Sequence, residues 1–178
     1  NGAKDAKGNL TTSTINNCWF DGTITLTTAN GKQAGGIVGY IGYNTKNTDV
    51  SIIDCLYTGD LTFESTSKKW GLRIGGIAGG AHDYYTPTIA IQNCISAGTV
   101  KQKDNSASIW SVSAVYGGFD EPRATKLTLE NVYATNECCS VDRIYHQYKA
   151  DANAAGTDPI ITGTGTLLDE VALQGTSG

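Results

Sequence analysis

The chain has 178 residues, 39% of them hydrophobic, and a formal net charge of −4 from 13 Lys and Arg against 17 Asp and Glu. That length allows one domain with a buried core, and the acidic balance without a basic stripe argues against nucleic acid and anionic membranes as partners. Gly (22) and Thr (23) are abundant while Pro is only 3 and Met is absent, which excludes collagen and disfavours a helical bundle.

An internal repeat of roughly 38 residues follows a polar lead-in at residues 1–12. Its first signature is centred on Asn-Cys and reads INNCWFDGTI, IIDCLYTGDL and IQNCISAGTV at residues 15–24, 52–61 and 91–100, with a degenerate copy, LENVYATNEC, at 129–138. Its second signature reads AGGIVGY, IGGIAGG and VSAVYGG, and residues 141–145 are the best candidate for a fourth copy. The columns of this alignment predict stacked structural repeats.

The repeats divide the chain into four units, 13–49, 50–88, 89–126 and 127–149, followed by a linker and cap at 150–178. Each unit offers three short strand segments separated by bends, which is typical of a parallel β-helix. We therefore predict an all-β, right-handed parallel β-helix, or β-solenoid, of about four coils spaced about 4.8 Å apart. Helix-like spacing of Leu167, Leu168 and Val171 predicts a short helical turn in the C-terminal cap.

Each column of the alignment has its own predicted place. The column of Asn17, Asp54, Asn93 and Asn131 forms a polar ladder at a bend, where amide side chains bond along the stack. The Gly columns mark either corners with unusual φ or places where backbones approach closely. The Ile/Leu column and the Cys column lie in the core.

Three of the five cysteines are explained by the repeat and not by metal chemistry. Cys18, Cys55 and Cys94 stack along one column as buried free thiols, and a straight column cannot surround one tetrahedral ion. We predict no metal and no cofactor. The adjacent pair Cys138 and Cys139 leaves open a disulfide from Cys138 to Cys94 that would staple the last turn.

Aromatic and acidic residues cluster in the corner loops, and equivalent loops on adjacent turns meet on one flank. Exposed rings beside Asp and Asn suit stacking on sugar rings or a protein contact, although the same rings are also suited to shielding the corners of the stack. A second aromatic patch is predicted at Trp70 and Trp110, which end the polar inserts on the other corner of the repeats. The candidate ligand-binding residues are Tyr40, Tyr43, His82, Asp83, Tyr84, Tyr85, Phe119, Asp120 and Glu121.

The sequence contains no nucleophile motif, because neither of its two His residues stands in a protease or hydrolase context. We predict a protein that is not an enzyme. The alternative is a fragment of a β-helix carbohydrate-active enzyme, a polysaccharide lyase or glycoside hydrolase, that uses Asp83, Asp120 and Glu121.

The two signatures resemble the GLUG-type repeats of bacterial cell-surface and secreted proteins. The resemblance rests on the Asn-Cys pairs with Gly22 and Gly98 and on the GGIVG and GGIAG strands at residues 35–39 and 75–79, and it covers about residues 13–146. The second repeat departs from the pattern with Asp54, and the fourth lacks both Cys and Gly.

That resemblance implies a non-catalytic module of a larger adhesin-like or protease-associated protein, located outside the cell or on its surface. It implies a structural stalk, or a surface that binds a glycan or a host or cell-surface protein. The start at Asn1 predicts a segment of a longer chain. No apolar run is long enough for membrane insertion of this segment.

Overall fold

The structure, a computed structural model, consists of short parallel β-strands joined by bends and turns, with no helix among the residues that it describes. The described residues are 12–28, 33–41, 49–65, 73–81, 88–103, 111–118, 126–135, 144–145 and 160–168. In this part of the chain nothing resembles a membrane-spanning helix. The strands stack in five parallel sheets, and we call one level of the stack a rung.

The first two sheets each contain five strands, one from each successive rung. The first sheet consists of β1 (Ser13–Asn16), β6 (Asp49–Ile53), β11 (Thr88–Gln92), β15 (Lys126–Glu130) and β17 (Ile160–Thr162). The second sheet consists of β2 (Trp19–Phe20), β7 (Leu56–Tyr57), β12 (Ile95–Ser96), β16 (Tyr133–Thr135) and β18 (Thr166–Leu168).

The other three sheets are smaller within the described residues. The third contains β3 (Thr23–Thr28), β8 (Asp60–Ser65) and β13 (Thr99–Gln102), and the fourth contains β4 (Gln33–Gly35), β9 (Arg73–Gly75) and β14 (Ser111–Ser113). The fifth contains β5 (Val38–Ile41) and β10 (Ala78–Ala81), and single bridges at Tyr116 and Tyr145 continue it.

The register of the strands confirms the alignment of the repeats. Leu56 pairs with Trp19 on one side and with Ile95 on the other, and Ile95 pairs with Tyr133. The Ile/Leu column of the prediction is likewise in register, since Ile52 pairs with Ile15 and with Ile91. Parallel strands one repeat apart therefore carry equivalent residues, and each column of the sequence becomes one row of the stack.

The predicted polar ladder lies at the bend between the first and second sheets. Asn17, Asp54, Asn93 and Asn131 have φ of 54°, 53°, 52° and 51°, the left-handed region that Asn and Asp tolerate best among residues with a side chain. Asn93 Nδ2 donates to Asp54 Oδ1 at 3.0 Å, and Asn131 Nδ2 donates to Asn93 Oδ1 at 3.0 Å. The same residue type thus makes the turn and links successive rungs.

A substitution at Asn93 tests both roles of this ladder. We expect Asn93→Ala to lower the free energy of unfolding by about 2 kcal/mol, because it removes two side-chain hydrogen bonds and puts at positive φ a residue that tolerates this region less well than Asn. Asn93→Gly removes the bonds without the strain, so it should lose about 1 kcal/mol less. Urea unfolding measures both values, and equal stability of the two variants would contradict the strain argument.

The core is a single cluster that receives side chains from every sheet. Tyr57 and Phe63 are fully buried, and Tyr57 stacks on Phe20 with ring centroids 6.2 Å apart. The Tyr57 hydroxyl donates to the Thr99 carbonyl at 2.7 Å, so this buried hydroxyl has a hydrogen-bond partner in the next rung. The predicted Ile/Leu column is confirmed as core, because Ile52 and Ile91 have no exposed surface.

The glycine column of the first signature is explained by close backbone approach and not by unusual φ. A Cβ on Gly98 would contact the Gly59 carbonyl oxygen and would lie 2.7 Å from Cε1 of Tyr57. The positive φ values occur instead in the Asn column and at Gly118 and Gly163. The glycines therefore let consecutive rungs stack at the spacing of a parallel sheet.

Three sequence predictions need correction. Each repeat was predicted to have three strand segments, but the segment at residues 74–80 bends at Gly76–Ile77 into β9 and β10, while the amides of both residues still donate to the next rung. The predicted linker contains β17, which pairs with β15. Residues 166–168 of the predicted helical cap form β18, whose pairing with β16 overrides the helix-like spacing.

Candidate ligand-binding surface

Tyr40 is the predicted ligand-binding residue that the structure describes. It lies on β5, is half-buried, and pairs in register with Gly80 of β10. The other predicted site residues lie outside the described residues: Tyr43, His82, Asp83, Tyr84, Tyr85, Phe119, Asp120 and Glu121. The same holds for Trp70, Trp110, Cys138 and Cys139. The predicted corner cluster therefore remains a prediction.

A different surface stands out among the described residues, on the outer side of the second sheet. Trp19, Leu56, Ile95 and Tyr133 pair in register along four rungs, and we call these four side chains the outer ridge. Trp19 is 68% exposed and is the large apolar side chain that the described structure leaves most open to solvent. The other three are half-buried. A mostly apolar strip on the outside of a sheet is a feature of binding surfaces.

The alternation of a β-strand creates this ridge. The column before it holds Cys18, Cys55 and Cys94, which face the core, and the column after it holds Tyr57 and Ser96, which are also buried. The column between them must point outward. The aligned repeats contain this column, and the period of two along a strand is the sequence signal that assigns it to the surface.

The indole of Trp19 is fixed in place by the neighbouring rung. Its Nε1 donates to Thr58 Oγ1 at 2.8 Å, and Thr58 lies in the second rung. The bond joins the first rung to a residue beyond Leu56, so the indole crosses the outer surface of the second rung. A ring held in this way loses little conformational entropy when a ligand stacks on it.

Polar residues border the outer ridge on both sides. On one side runs the ladder of Asn17, Asp54, Asn93 and Asn131, and all four are exposed. On the other side lie Asp21 and Asp60, both exposed. In these bordering columns, the described residues include carboxylates and amides but no Lys or Arg. The surface thus combines apolar contact with hydrogen-bonding groups and a negative charge.

Three carboxylates on the outer surface contact side chains of a neighbouring rung. Asp60 Oδ1 accepts from Thr99 Oγ1 at 2.6 Å, and Glu130 Oε2 accepts from Gln92 Nε2 at 2.7 Å. Lys103 Nζ lies 3.1 Å from Glu64 Oε2 as an ion pair. These contacts join equivalent positions of neighbouring rungs, so they stabilise the stacking of the repeats.

The cysteine column is confirmed as core. Cys55 and Cys94 are buried free thiols and Cys18 is a half-buried one. The Cys94 Sγ donates to the Gln92 carbonyl at 3.1 Å, and burial raises the pKa of this thiol to about 11. Cys94 is a free thiol, and Cys138, the other half of the disulfide that the sequence left open, lies outside the described residues. Among the described residues, no group of His, Cys, Asp and Glu has the arrangement of a metal site.

Thiol reactivity should follow this burial. Burial also raises the pKa of Cys55, so at pH 8 both Cys55 and Cys94 are neutral thiols that a reagent cannot reach. We expect iodoacetamide to label Cys18 well before either of them in the folded protein. Mass spectrometry of the digested protein gives the order, and labelling in urea, where all five cysteines should react, is the control. Equal rates for Cys18 and Cys94 in the folded state would contradict the burial of the column.

Comparison with family models and with curated proteins gives no match. Among solved structures, the chain is similar to a protein from Bacteroides ovatus described as a "putative immunoglobulin A1 protease", with a TM-score of 0.44 and 17% sequence identity. The alignment covers 93% of this chain and 53% of that one, so this chain spans about half of that protein's length.

Proposed function

We propose that this chain is a non-catalytic repeat module built as a right-handed parallel β-helix of about four coils, with β17 and β18 as a further partial rung. One core cluster shared by all five sheets supports a closed coil, because sheets that face a common core surround it. The right-handed sense follows the strong preference of crossover connections between parallel strands. We further propose that the module is an adhesin-like stalk of an extracellular bacterial surface protein, and that it belongs to a longer chain.

The observation that carries this proposal is the dependence of each rung on its neighbour for burial. Ile15, Phe20 and Ile24 of the first rung are only half-buried. Their equivalents Ile52, Tyr57 and Leu61 in the second rung have no exposed surface. A repeat that buries its apolar face only against the next repeat is suited to build a continuous rod, and the cross-rung bonds on the outside stiffen it.

A second candidate function is the carbohydrate-active enzyme that would use Asp83, Asp120 and Glu121. Glycoside hydrolysis needs two carboxylates directed at one bond, and one of them must be able to donate a proton. Three outer carboxylates of the described residues, Asp54, Asp60 and Glu130, instead accept hydrogen bonds from the neighbouring rung. This arrangement favours a structural role for these three residues, which supports the non-catalytic module.

An activity assay separates the two candidates. The purified chain is incubated with neutral and acidic polysaccharides, and reducing ends and unsaturated products are measured over time. We expect no product above a buffer blank, and no difference between the chain and its Asp83→Ala/Glu121→Ala double variant. Product formation that the double variant abolishes would overturn the proposal and assign the enzymatic alternative.

The proposed extracellular location of the protein can be tested independently of ligand binding or enzymatic activity. An antibody raised against the purified module should label intact cells of the source organism, or should detect the protein in the culture medium. A signal found only after lysis would contradict the proposed extracellular location.

A further inference from the structure

We infer that the outer ridge binds an uncharged glycan chain lying along the stacking direction of the rungs. This inference rests on the proposed function, since it names a ligand class for the outer surface of the adhesin-like, non-catalytic module. Apolar side chains in the middle and hydrogen-bonding side chains at the border match a sugar chain, whose rings have apolar faces and hydroxyl edges. The residues that carry the inference are Trp19, Leu56, Ile95 and Tyr133 with the bordering Asn ladder.

The aromatic groups stand at the two ends of the ridge. Trp19 is open to solvent and is held across the second rung by its bond to Thr58. Its ring is therefore pre-organised for a sugar to stack on it. Tyr133 lies three rungs away and is half-buried, with a phenol hydroxyl that can donate or accept. Leu56 and Ile95 between them form a low apolar floor. An extended ligand can therefore contact rings at both ends.

The spacing of the rungs fits an extended chain of sugars. Neighbouring rungs of a parallel sheet are about 4.8 Å apart, which is close to the length of one pyranose unit in an extended glycan. The four rungs of the ridge therefore offer contacts to about four successive units. On the border, Asn131 uses one amide hydrogen within the ladder and Asn93 uses one amide hydrogen and its oxygen. A side-chain amide has a second N–H donor that can bind a hydroxyl group.

The charge around the ridge selects an uncharged chain. Asp21, Asp54 and Asp60 are exposed beside it, and no described Lys or Arg lies in the bordering columns to offset them. A uronic acid chain or another polyanion would bring its carboxylates beside these groups and be repelled. A cationic peptide would match the negative charge, but it would not need an apolar strip with amide groups running beside it. A neutral glycan can use both the apolar strip and the amide groups.

Isothermal titration calorimetry with defined hexasaccharides tests the inference. The neutral probes are the hexasaccharides of glucose, mannose, xylose and galactose, the anionic probe is hexagalacturonate, and the cationic probe is hexalysine. We expect at least one neutral probe to bind, and to bind about tenfold more tightly than hexagalacturonate and hexalysine. Its affinity should rise with chain length up to about four units and then level off. Tightest binding of either charged probe, or no binding of any neutral probe, would overturn the inference.

Variants of Trp19 test whether the glycan binds to the outer ridge. Trp19→Ala should weaken binding about tenfold or more, while Trp19→Phe keeps a ring and should retain most of the affinity. Lys101→Ala is the control, because Lys101 is exposed on the third sheet and lies outside the outer ridge and its bordering columns. Circular dichroism checks that each variant is folded, and unchanged affinity in folded Trp19→Ala would overturn the assignment.

These outcomes are distinct from those that test the proposed function. A folded, catalytically inactive module without glycan affinity would overturn the ligand assignment alone. Product formation in the activity assay would overturn the non-catalytic module whether or not the ridge binds sugar.

Discussion

Gly79→Ala is expected to destabilise the protein by about 3 kcal/mol or more, the largest effect of a single added methyl group that we predict. A Cβ at residue 79 would lie 2.5 Å from the carbonyl oxygens of Ala34 and Gly39. Both contacts are with backbone of the first rung, which cannot rotate away as a side chain can. Relief requires β10 to separate from β5, and that separation breaks the pairing of Ala78 with Val38 and of Gly80 with Tyr40.

Gly39→Ala is the matched control for this prediction. Gly39 holds the equivalent position in the first rung, where the nearest atom to an added Cβ is the Gln33 carbonyl oxygen at 3.9 Å, an ordinary contact. Its variant should stay within about 0.5 kcal/mol of the parent, with a small gain from the reduced freedom of the unfolded chain. Urea unfolding of both variants measures the difference. Similar losses at residues 39 and 79 would contradict close stacking as the reason for glycine.

Cys94→Asp is expected to prevent folding at neutral pH. Cys94 has no exposed surface, and its column neighbours along the stack are Cys55 and Val132, which are also buried. A carboxylate there would be a charge in the core with no cation among the buried residues, a situation that costs several kcal/mol even after relaxation. That loss is a large part of the total stability of a domain of this size. Far-ultraviolet circular dichroism should show the loss of the β signal.

Cys18→Asp is the matched control, because it makes the same chemical change in the same column. Cys18 lies in the first rung and is half-buried, so an aspartate there can reach water. We expect this variant to fold with a loss of about 1–2 kcal/mol. A folded Cys94→Asp protein with the thermal stability of Cys18→Asp would show that the cysteine column is not in the core.

The proposed binding surface and the stacking contacts lie on different sides of the same strands. In the second sheet, Tyr57 and Ser96 face the core, while Leu56 and Ile95 face outward. Tyr57 donates to the Thr99 carbonyl of the next rung, and Ser96 donates to the Ala114 carbonyl of its own rung. Substitution of an outer-ridge residue should therefore change affinity with little effect on stability. Substitution of the inward neighbours should do the reverse.

Much of the architecture is determined by the sequence because a stacked fold repeats the same environment in every rung. An Asn or Asp recurs wherever the chain must turn through positive φ, as at Asn17 and Asp54, and a Cys recurs wherever a small apolar side chain fits the core. Aligning the copies therefore also aligns the strands. This is why the columns through Leu56 and Ile52 agree with the observed pairing residue by residue.

The predictions failed where the repeat pattern is weak or where a local preference competes with pairing. Thr166–Leu168 has helix-like spacing, but its pairing with Tyr133–Thr135 holds it as a strand. The bend at Gly76–Ile77 leaves no mark in the alignment, because the amides of both residues still bond to Ala114 and Val115. At Thr166–Leu168, hydrogen bonds to a distant part of the chain outweigh the local sequence preference.

By itself, the sequence determined the repeat, its register, the core columns and the polar ladder, since each of these depends on residue type at a fixed period. The tertiary structure decided what lies together across rungs. The bond from Trp19 to Thr58 joins residues 39 positions apart, and it depends on side-chain direction as well as on strand pairing. The outer ridge emerges only when four rungs are stacked, because a surface exists only where distant segments meet.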